Sequence, residues 1–95
     1  MPETFTRWDV TDYLHTEEDI RYYLEAAADE DPGDGSLIRA ALNDIARAQN
    51  MSQLAREVGM TREGLYKALS DKGNPTFATV LRITRALGMQ LRITA

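Results

Sequence analysis

The chain has 95 residues, one histidine, no cysteine and a formal net charge of −4, which suits one compact domain but not a typical two-domain enzyme with its own cleft. The missing thiols exclude a disulfide framework and a thiolate metal site, and His15 cannot build a zinc or haem site unaided. Because the sequence also lacks a run of about 20 apolar residues and the features of a signal peptide, we expect a cytoplasmic protein without cofactor or metal.

Acidic and basic residues are divided unevenly at the Pro/Gly-rich segment DPGDG, residues 31–35. Residues 1–35 hold eleven acids and two bases, a net charge of −9, whereas residues 36–95 hold nine bases and four acids, a net charge of +5. Such asymmetry suggests two partners of opposite charge, although helix surfaces are commonly charged and the division could be chance. We therefore distinguish an acidic, aromatic segment (1–35) from a basic domain (36–95) within one compact unit.

Two helices are predicted in the first half of the chain. Residues 5–14 interleave aromatic and apolar side chains with polar ones, which favours a short strand or an extended arm. Thr16 stands in the position of an N-cap and is followed by three acids, so the apolar stripe behind it predicts a helix over about 17–29. After DPGDG, apolar residues repeat on one face and predict a second helix from Ser36 to about Gln49.

Two shorter helices follow, separated by a glycine. Asn50, with Gln53 three residues later, has the form of a capping box and starts a helix that ends at Gly59. Thr61 is the predicted N-cap of the next helix, which covers about 62–70.

The segment DKGNP then interrupts the helical pattern before a last helix. This helix begins at Thr76, or at Asn74 with Pro75 in its first turn, and ends at Gly88. Residues 89–95, MQLRITA, alternate apolar and polar side chains with the period of a half-buried strand. A single strand is not stable alone, so this one needs a partner.

The two helices on either side of Gly59 have the pattern of a DNA-binding helix-turn-helix. Ala55 allows a close crossing, Gly59 allows a sharp turn, and Leu65 supplies an apolar peg from the second helix. An α-helix fits the major groove, where side chains of its first turns reach base edges. The candidate DNA contacts are Ser52, Gln53, Thr61, Arg62, Glu63, Tyr66, Lys67 and Asn74. Arg62 and Lys67 could instead be ordinary solvated charges on an exposed helix.

These residues carry a family resemblance. The pattern LA, three residues, G, an apolar residue and Ser or Thr occurs at Leu54, Ala55, Gly59, Met60 and Thr61, and it resembles the lambda-repressor-like, Xre-type helix-turn-helix family. The following GNP and the helix ending in LG also match. The resemblance implies an all-α, lambda-repressor-like five-helix domain with a helix-turn-helix, to which this chain adds a short N-terminal arm or strand and a C-terminal strand.

The start of the first helix of the pair departs from that family. There, Ser/Thr-Gln is separated from Leu-Ala by two residues, whereas here MSQ runs directly into Leu54. The family's glutamine commonly clamps a phosphate, so in this chain Ser52 or the amide groups at the helix start could replace Gln53 in that role.

A narrower resemblance covers nearly the whole chain. Its motifs are F-T-x-W-D-x-x-x-Y-L (5–14), T-E-E-D-I (16–20), Y-L-E-A, D-I-A-R-A (44–48), M-S-Q-L-A-R and R-E-G-L-Y-K-A-L-S. These are similar to the small HigA-like addiction-module antidote proteins of bacteria. The resemblance implies the antitoxin of a type II toxin-antitoxin module, encoded beside a RelE/ParE-superfamily toxin that is typically a small basic ribonuclease. The antidote would neutralise this toxin and also act as the transcriptional repressor of their shared promoter.

The acidic segment is then the candidate toxin-binding region. Aromatic anchors and acids that steer encounter could together cover a basic RNA-binding surface. The candidate toxin contacts are Phe5, Trp8, Asp9, Asp12, Tyr13, Glu17, Glu18, Tyr22 and Tyr23, with Asp19 as a further steering acid. The aromatic residues could equally pack within the chain, and the acids at 17–19 complement the helix dipole in either case.

A homodimer is expected on DNA. It would place two recognition helices in successive major grooves of an inverted-repeat double-stranded operator, about 34 Å apart. The last helix and the C-terminal strand are the predicted dimer contact, through Leu87, Met89, Leu91 and Ile93. The strand could instead pair with residues 5–8 of the same chain.

Two other classes of function have less support in the sequence. An enzyme is disfavoured because the chain has no P-loop, no paired metal ligands and only one histidine for a Ser/His/Asp set. A stand-alone Xre-type transcriptional repressor without a toxin partner is the closer rival, in which the N-terminal segment is a packing or dimerisation arm. A neighbouring gene for a basic protein of about 100 residues would favour the antitoxin.

Overall fold

The computed structural model describes residues 12–93, and these form five α-helices: α1 (Glu17–Glu30), α2 (Ser36–Ala48), α3 (Met51–Glu57), α4 (Arg62–Leu69) and α5 (Phe77–Ala86). The prediction of an all-α architecture is confirmed for this part of the chain. Each helix begins and ends within two residues of its predicted bounds, because the signals that start and stop a helix are local.

Four of the helices are capped by the side chain that precedes them. Thr16, Asn50, Thr61 and Thr76 each accept a hydrogen bond from the backbone N–H three residues later, at 3.0, 3.0, 2.9 and 3.1 Å. Each bond satisfies one of the N–H groups that a helix start leaves without an intrahelical acceptor. Thr76, rather than Asn74, is therefore the start of α5.

α2 is capped from a distance, because Gly35 in front of it has no side chain. The carboxylate of Asp31 accepts hydrogen bonds from the N–H groups of Gly33, Gly35 and Leu37 at 2.8 Å and of Ile38 at 3.4 Å. Desolvation acts to raise the pKa of Asp31, but these four amides outweigh it and hold the pKa below its usual range.

Two glycines end helices in the same way, as predicted. Gly59 follows α3 with φ of 77°, and Gly88 follows α5 with φ of 83°. The N–H of the next residue returns to a carbonyl of the last turn, from Met60 to Ala55 at 2.8 Å and from Met89 to Thr84 at 2.9 Å. This is the Schellman arrangement, which favours glycine because the left-handed conformation is costly for other residues.

The core consists of two clusters that meet on α2. The larger cluster joins α2, α3, α4 and α5 through residues such as Leu42, Leu54, Leu65 and Ile83, all at most 4% exposed. The smaller one joins Leu14 and Ile20, from the acidic segment, to Ile45 of α2. The acidic segment and the basic domain thus share one core, and each fully buried aliphatic side chain contributes about 1.5–3 kcal/mol of transfer free energy.

The predicted C-terminal strand is not shown among the described residues. Residues 89–93 follow Gly88 without regular secondary structure, and within residues 12–93 there is no strand with which they could pair. One predicted partner, residues 5–8, lies outside the described residues and the other is a second chain, so the pairing of this strand stays a prediction. Residues 5–11 of the predicted N-terminal arm or strand lie outside the described residues; its last position, Leu14, is completely buried.

Candidate nucleic-acid interface

α4 is held by one face and exposes the other. Leu65 and Leu69 are completely buried in the larger cluster. The exposed residues of the helix are Arg62, Glu63, Tyr66 and Lys67. Spacings of one and four residues place these four side chains on a single side of the helix. The outward face predicted for the recognition helix is therefore present, with two cations, one carboxylate and one phenol.

The crossing of α3 and α4 depends on small residues. Ala55 of α3 is 1% exposed in the core that the two helices share. Gly64 lies in the first turn of α4, where its N–H donates to the Thr61 hydroxyl, and a Cβ at this position would stand 2.9 Å from that oxygen. A side chain here would crowd the cap, which offsets the low helix propensity of glycine.

Arg39, which no motif of the sequence indicates, fixes the C-terminal end of α4. Its Nη1 donates to the carbonyl oxygen of Leu69, the last residue of α4, at 2.9 Å. A cation at a helix C-terminus is favoured by the helix dipole and supplies a donor to an otherwise unpaired carbonyl. Arg39 therefore positions α4 against α2, a contact without any local signal.

The turn after α4 is also closely fitted. The Ser70 hydroxyl donates to the Lys67 carbonyl at 2.8 Å, and the Gly73 N–H donates to the Ser70 carbonyl at 2.8 Å. A Cβ at Gly73 would overlap the carbonyl oxygens of Lys67 and Ala68, so only glycine fits there. This turn leads directly to the exposed Asn74.

The other DNA candidates differ in their availability. Ser52 is half-buried on α3, whereas Gln53 is exposed, with its Nε2 3.5 Å from the Glu57 carboxylate. The Asn50 cap is therefore made without the reciprocal Gln53 bond of a capping box. Thr61 accepts the cap bond from Gly64 and keeps its O–H as a donor.

The comparison with protein families decides the class of this chain. The model of a family described as "Probable addiction module antidote protein" matches residues 4–95. The chain belongs to this antidote family. The antidote is also 52% identical over 93 residues to an uncharacterized protein of Haemophilus influenzae, with 98% of this chain and 94% of the relative covered. No solved structure matches it. Membership implies a cognate toxin as a partner.

Within residues 12–93 of the antidote, no helix is both long and apolar enough to cross a membrane. In the same range, no three histidine, aspartate or glutamate side chains are grouped as they would be around a metal ion.

The toxin-binding candidates of the antidote fall into three groups. Phe5, Trp8 and Asp9 lie outside the described residues. The exposed candidates are Asp12, Tyr13, Glu17, Glu18 and Tyr22, with the steering acid Asp19 half-buried in the cap of α1. Tyr22 is 50% exposed, and its hydroxyl donates to Glu18 at 3.1 Å. Arg21 lies over the same ring, with its guanidinium carbon 4.9 Å from the ring centre.

Tyr23 forms the third group because its side chain makes a contact within the protein. Its hydroxyl donates to Asp44 of α2 at 2.6 Å, and Asp44 also pairs with Arg47 at 2.8 Å. Burial, followed by the hydrogen bond to Asp44, raises the pKa of Tyr23 to about 12. The phenol therefore stays protonated and links α1 to α2.

The dimer candidates are divided between the core and the surface. Leu87 and Met89 are partly buried and pack within the same chain. Leu91 and Ile93 are 53% and 91% exposed. Of the four predicted dimer residues, these two are the exposed ones that a second chain could cover.

Proposed function

We propose that this antidote is a HigA-like antitoxin that represses its own operon through α3 and α4, acting as an Xre-type helix-turn-helix, and neutralises a RelE/ParE-superfamily toxin with its acidic segment. The observation that carries the DNA-binding part is the exposed face of α4, four hydrogen-bonding side chains on a helix whose other face is anchored by Leu65 and Leu69. A rigid helix with such a face can enter the major groove without rearrangement of the core.

Each exposed side chain of α4 has a chemical role available to it on DNA. The guanidinium of Arg62 can bind guanine O6 and N7 with two hydrogen bonds. Glu63 can accept a hydrogen bond from a cytosine amine or orient Arg62, and Tyr66 can contact a thymine methyl group or a phosphate. Lys67 and Asn74 suit the phosphate backbone, since such contacts position a protein without reading sequence.

A homodimer supplies the affinity that one short helix lacks. Two copies of α4 placed about 34 Å apart would read both halves of an inverted repeat. The tail residues Leu91 and Ile93 are the proposed contact, because their apolar side chains are exposed in the single chain.

The acidic segment is suited to a basic partner. Its net charge of −9 would speed encounter with a toxin that binds RNA through a cationic surface, and aromatic side chains such as Tyr22 can anchor the contact.

The DNA-binding part is tested by the affinity of the purified antidote for its own promoter fragment, measured by fluorescence anisotropy at several salt concentrations. If binding releases the counterions of only two phosphates, the affinity for DNA should fall roughly tenfold between about 50 and 200 mM salt. An unchanged affinity over this range would rule out the proposed DNA binding.

The toxin-binding part is tested by co-purification with the product of the neighbouring gene and by an RNA-cleavage assay of that product. We expect a stable complex and loss of cleavage when the antidote is added. Deletion of residues 1–35 is a poor variant for this purpose, because it would uncover Ile45 and destabilise the core. Glu18→Gln removes the charge of one exposed acid while it keeps an acceptor for the Tyr22 hydroxyl, and it should weaken the inhibition.

A further inference from the structure

A shallow groove of about 230 Å³ runs between α1 and α2. Its floor is formed by four alanines, two from each helix, at positions 26, 27, 40 and 41. A water molecule occupies only about 30 Å³ in the liquid, so the groove has room for a side chain of a partner. The small floor residues leave this room while α1 and α2 remain in contact through Tyr23 and Asp44.

The groove has two carboxylates at its edge, and one of them is available to a ligand. Asp44 is already bound by Tyr23 and Arg47. Glu30, at the other end of the lining, is exposed and makes no side-chain hydrogen bond or ion pair with residues 12–93. Residues 12–35, which include α1, hold nine acids and one base, a net charge of −8. An anionic ligand would be repelled here, and a purely apolar one would cover the Glu30 carboxylate without giving it a hydrogen-bond donor.

We propose that this groove receives a lysine or arginine side chain of the cognate toxin. The aliphatic stem would lie on the alanine floor and beside Leu37, which is 39% exposed, while the charged head would reach Glu30. This inference rests on the proposed neutralisation and names the surface that performs it. It adds the groove between α1 and α2 to the sequence-based assignment, which placed the toxin on the aromatic and acidic residues between positions 5 and 23.

The absence of cysteine makes a direct test possible. A single thiol introduced as Ala26→Cys lies in the groove, and Ala28→Cys, two residues later, is exposed on a different side of α1. The rate of alkylation of each thiol is measured by mass spectrometry, with and without the purified product of the neighbouring gene. We expect the complex to slow the reaction at position 26 by roughly tenfold or more and to leave position 28 nearly unchanged.

A matched pair of charge reversals gives a second measurement. Glu30→Lys places a cation in the groove, and Glu25→Lys makes the same change on the same helix away from it. We expect Glu30→Lys to weaken toxin affinity by roughly tenfold or more and Glu25→Lys to have a clearly smaller effect. Thermal unfolding of both variants checks that neither has lost its fold.

Each alternative gives a distinct result that would overturn the proposal. Slow reaction at position 26 in the free antidote would mean that the chain fills its own groove, and slowing with antidote concentration alone would mean that a second copy does. Equal protection at both positions in an inhibited complex would place the toxin elsewhere, with the proposed neutralisation intact. Failure of the wild-type protein to bind the toxin or inhibit RNA cleavage would overturn both.

Discussion

Asp31 caps α2 from five residues in front of it, because its two carboxylate oxygens accept hydrogen bonds from four backbone N–H groups. These bonds require the charged form, so the pKa of Asp31 is lower in the folded chain than in the unfolded one. Its contribution to stability is therefore complete above the ordinary aspartate pKa of about 3.9 and is lost as the pH falls through the lower folded value.

We expect Asp31→Asn to lower the midpoint of thermal unfolding at pH 7 and to flatten the pH dependence of stability below about pH 4. Circular dichroism melts from pH 2.5 to 7 measure both effects. Asp29→Asn is the control, since this exposed aspartate of α1 is not part of the Asp31 cap. Equal behaviour of the two variants would show that Asp31 does not hold α2.

In the proposed complex with DNA, Arg62 is the residue on which we expect base reading to depend most. We expect Arg62→Ala to lose about 1–3 kcal/mol of operator binding together with selectivity at one base pair. Anisotropy titrations against operators changed at single positions measure this. Arg21→Ala removes the same charge from α1 and should bind normally. A loss that is uniform over all sequences would make Arg62 a phosphate contact instead.

At the scale of elements, the turn between α3 and α4 sets how α4 is presented. Gly59 has φ of 77°, and a Cβ added to it would meet nothing within 4 Å. A side chain here is therefore unfavourable for conformational and not steric reasons. The left-handed conformation of alanine is about 1–2 kcal/mol less favourable than its right-handed one.

We expect Gly59→Ala to lower the free energy of unfolding by about 1 kcal/mol and Gly59→Asn to lower it less, because asparagine tolerates this conformation. Urea denaturation with equal m-values would measure the difference. If alanine and asparagine were equally harmless, the turn would not require this conformation.

At the scale of the whole molecule, α2 connects the surfaces to which the two proposed functions are assigned. On one side it packs against α1 through Ile45 and Asp44, and on the other it contacts α3 and α4 and holds the end of α4 through Arg39. The acidic and basic parts are therefore not separable modules. Point substitutions on their surfaces test each function better than truncation does.

The exposed tail should govern assembly. Ile93 is 91% exposed in the single chain, and burial of one isoleucine contributes about 1.5–3 kcal/mol. We expect Ile93→Asp to raise the dimer dissociation constant by roughly tenfold or more, as measured by sedimentation equilibrium, and to weaken operator binding in parallel. Ala28→Asp on α1 is the control. A variant that dimerises normally would move the interface away from the tail.

The sequence by itself determined the helices, the N-caps of all of them except α2, and the exposed face of α4. These features depend on residues within about four positions of one another, so Thr16, Thr61, Gly59 and Gly88 carry enough information alone. The antidote class also followed from motifs along the chain and is confirmed by the family match over residues 4–95.

Tertiary structure alone decided which of the remaining side chains are free to act. Tyr23 turns inward to Asp44, 21 residues away, and Arg39 reaches the carbonyl of Leu69, 30 residues away. Met89 packs against the core, while residues 90–93 have no strand beside them within the described part of the chain. Such contacts join positions that the fold brings together, and no local pattern of residue types can specify which of them will meet.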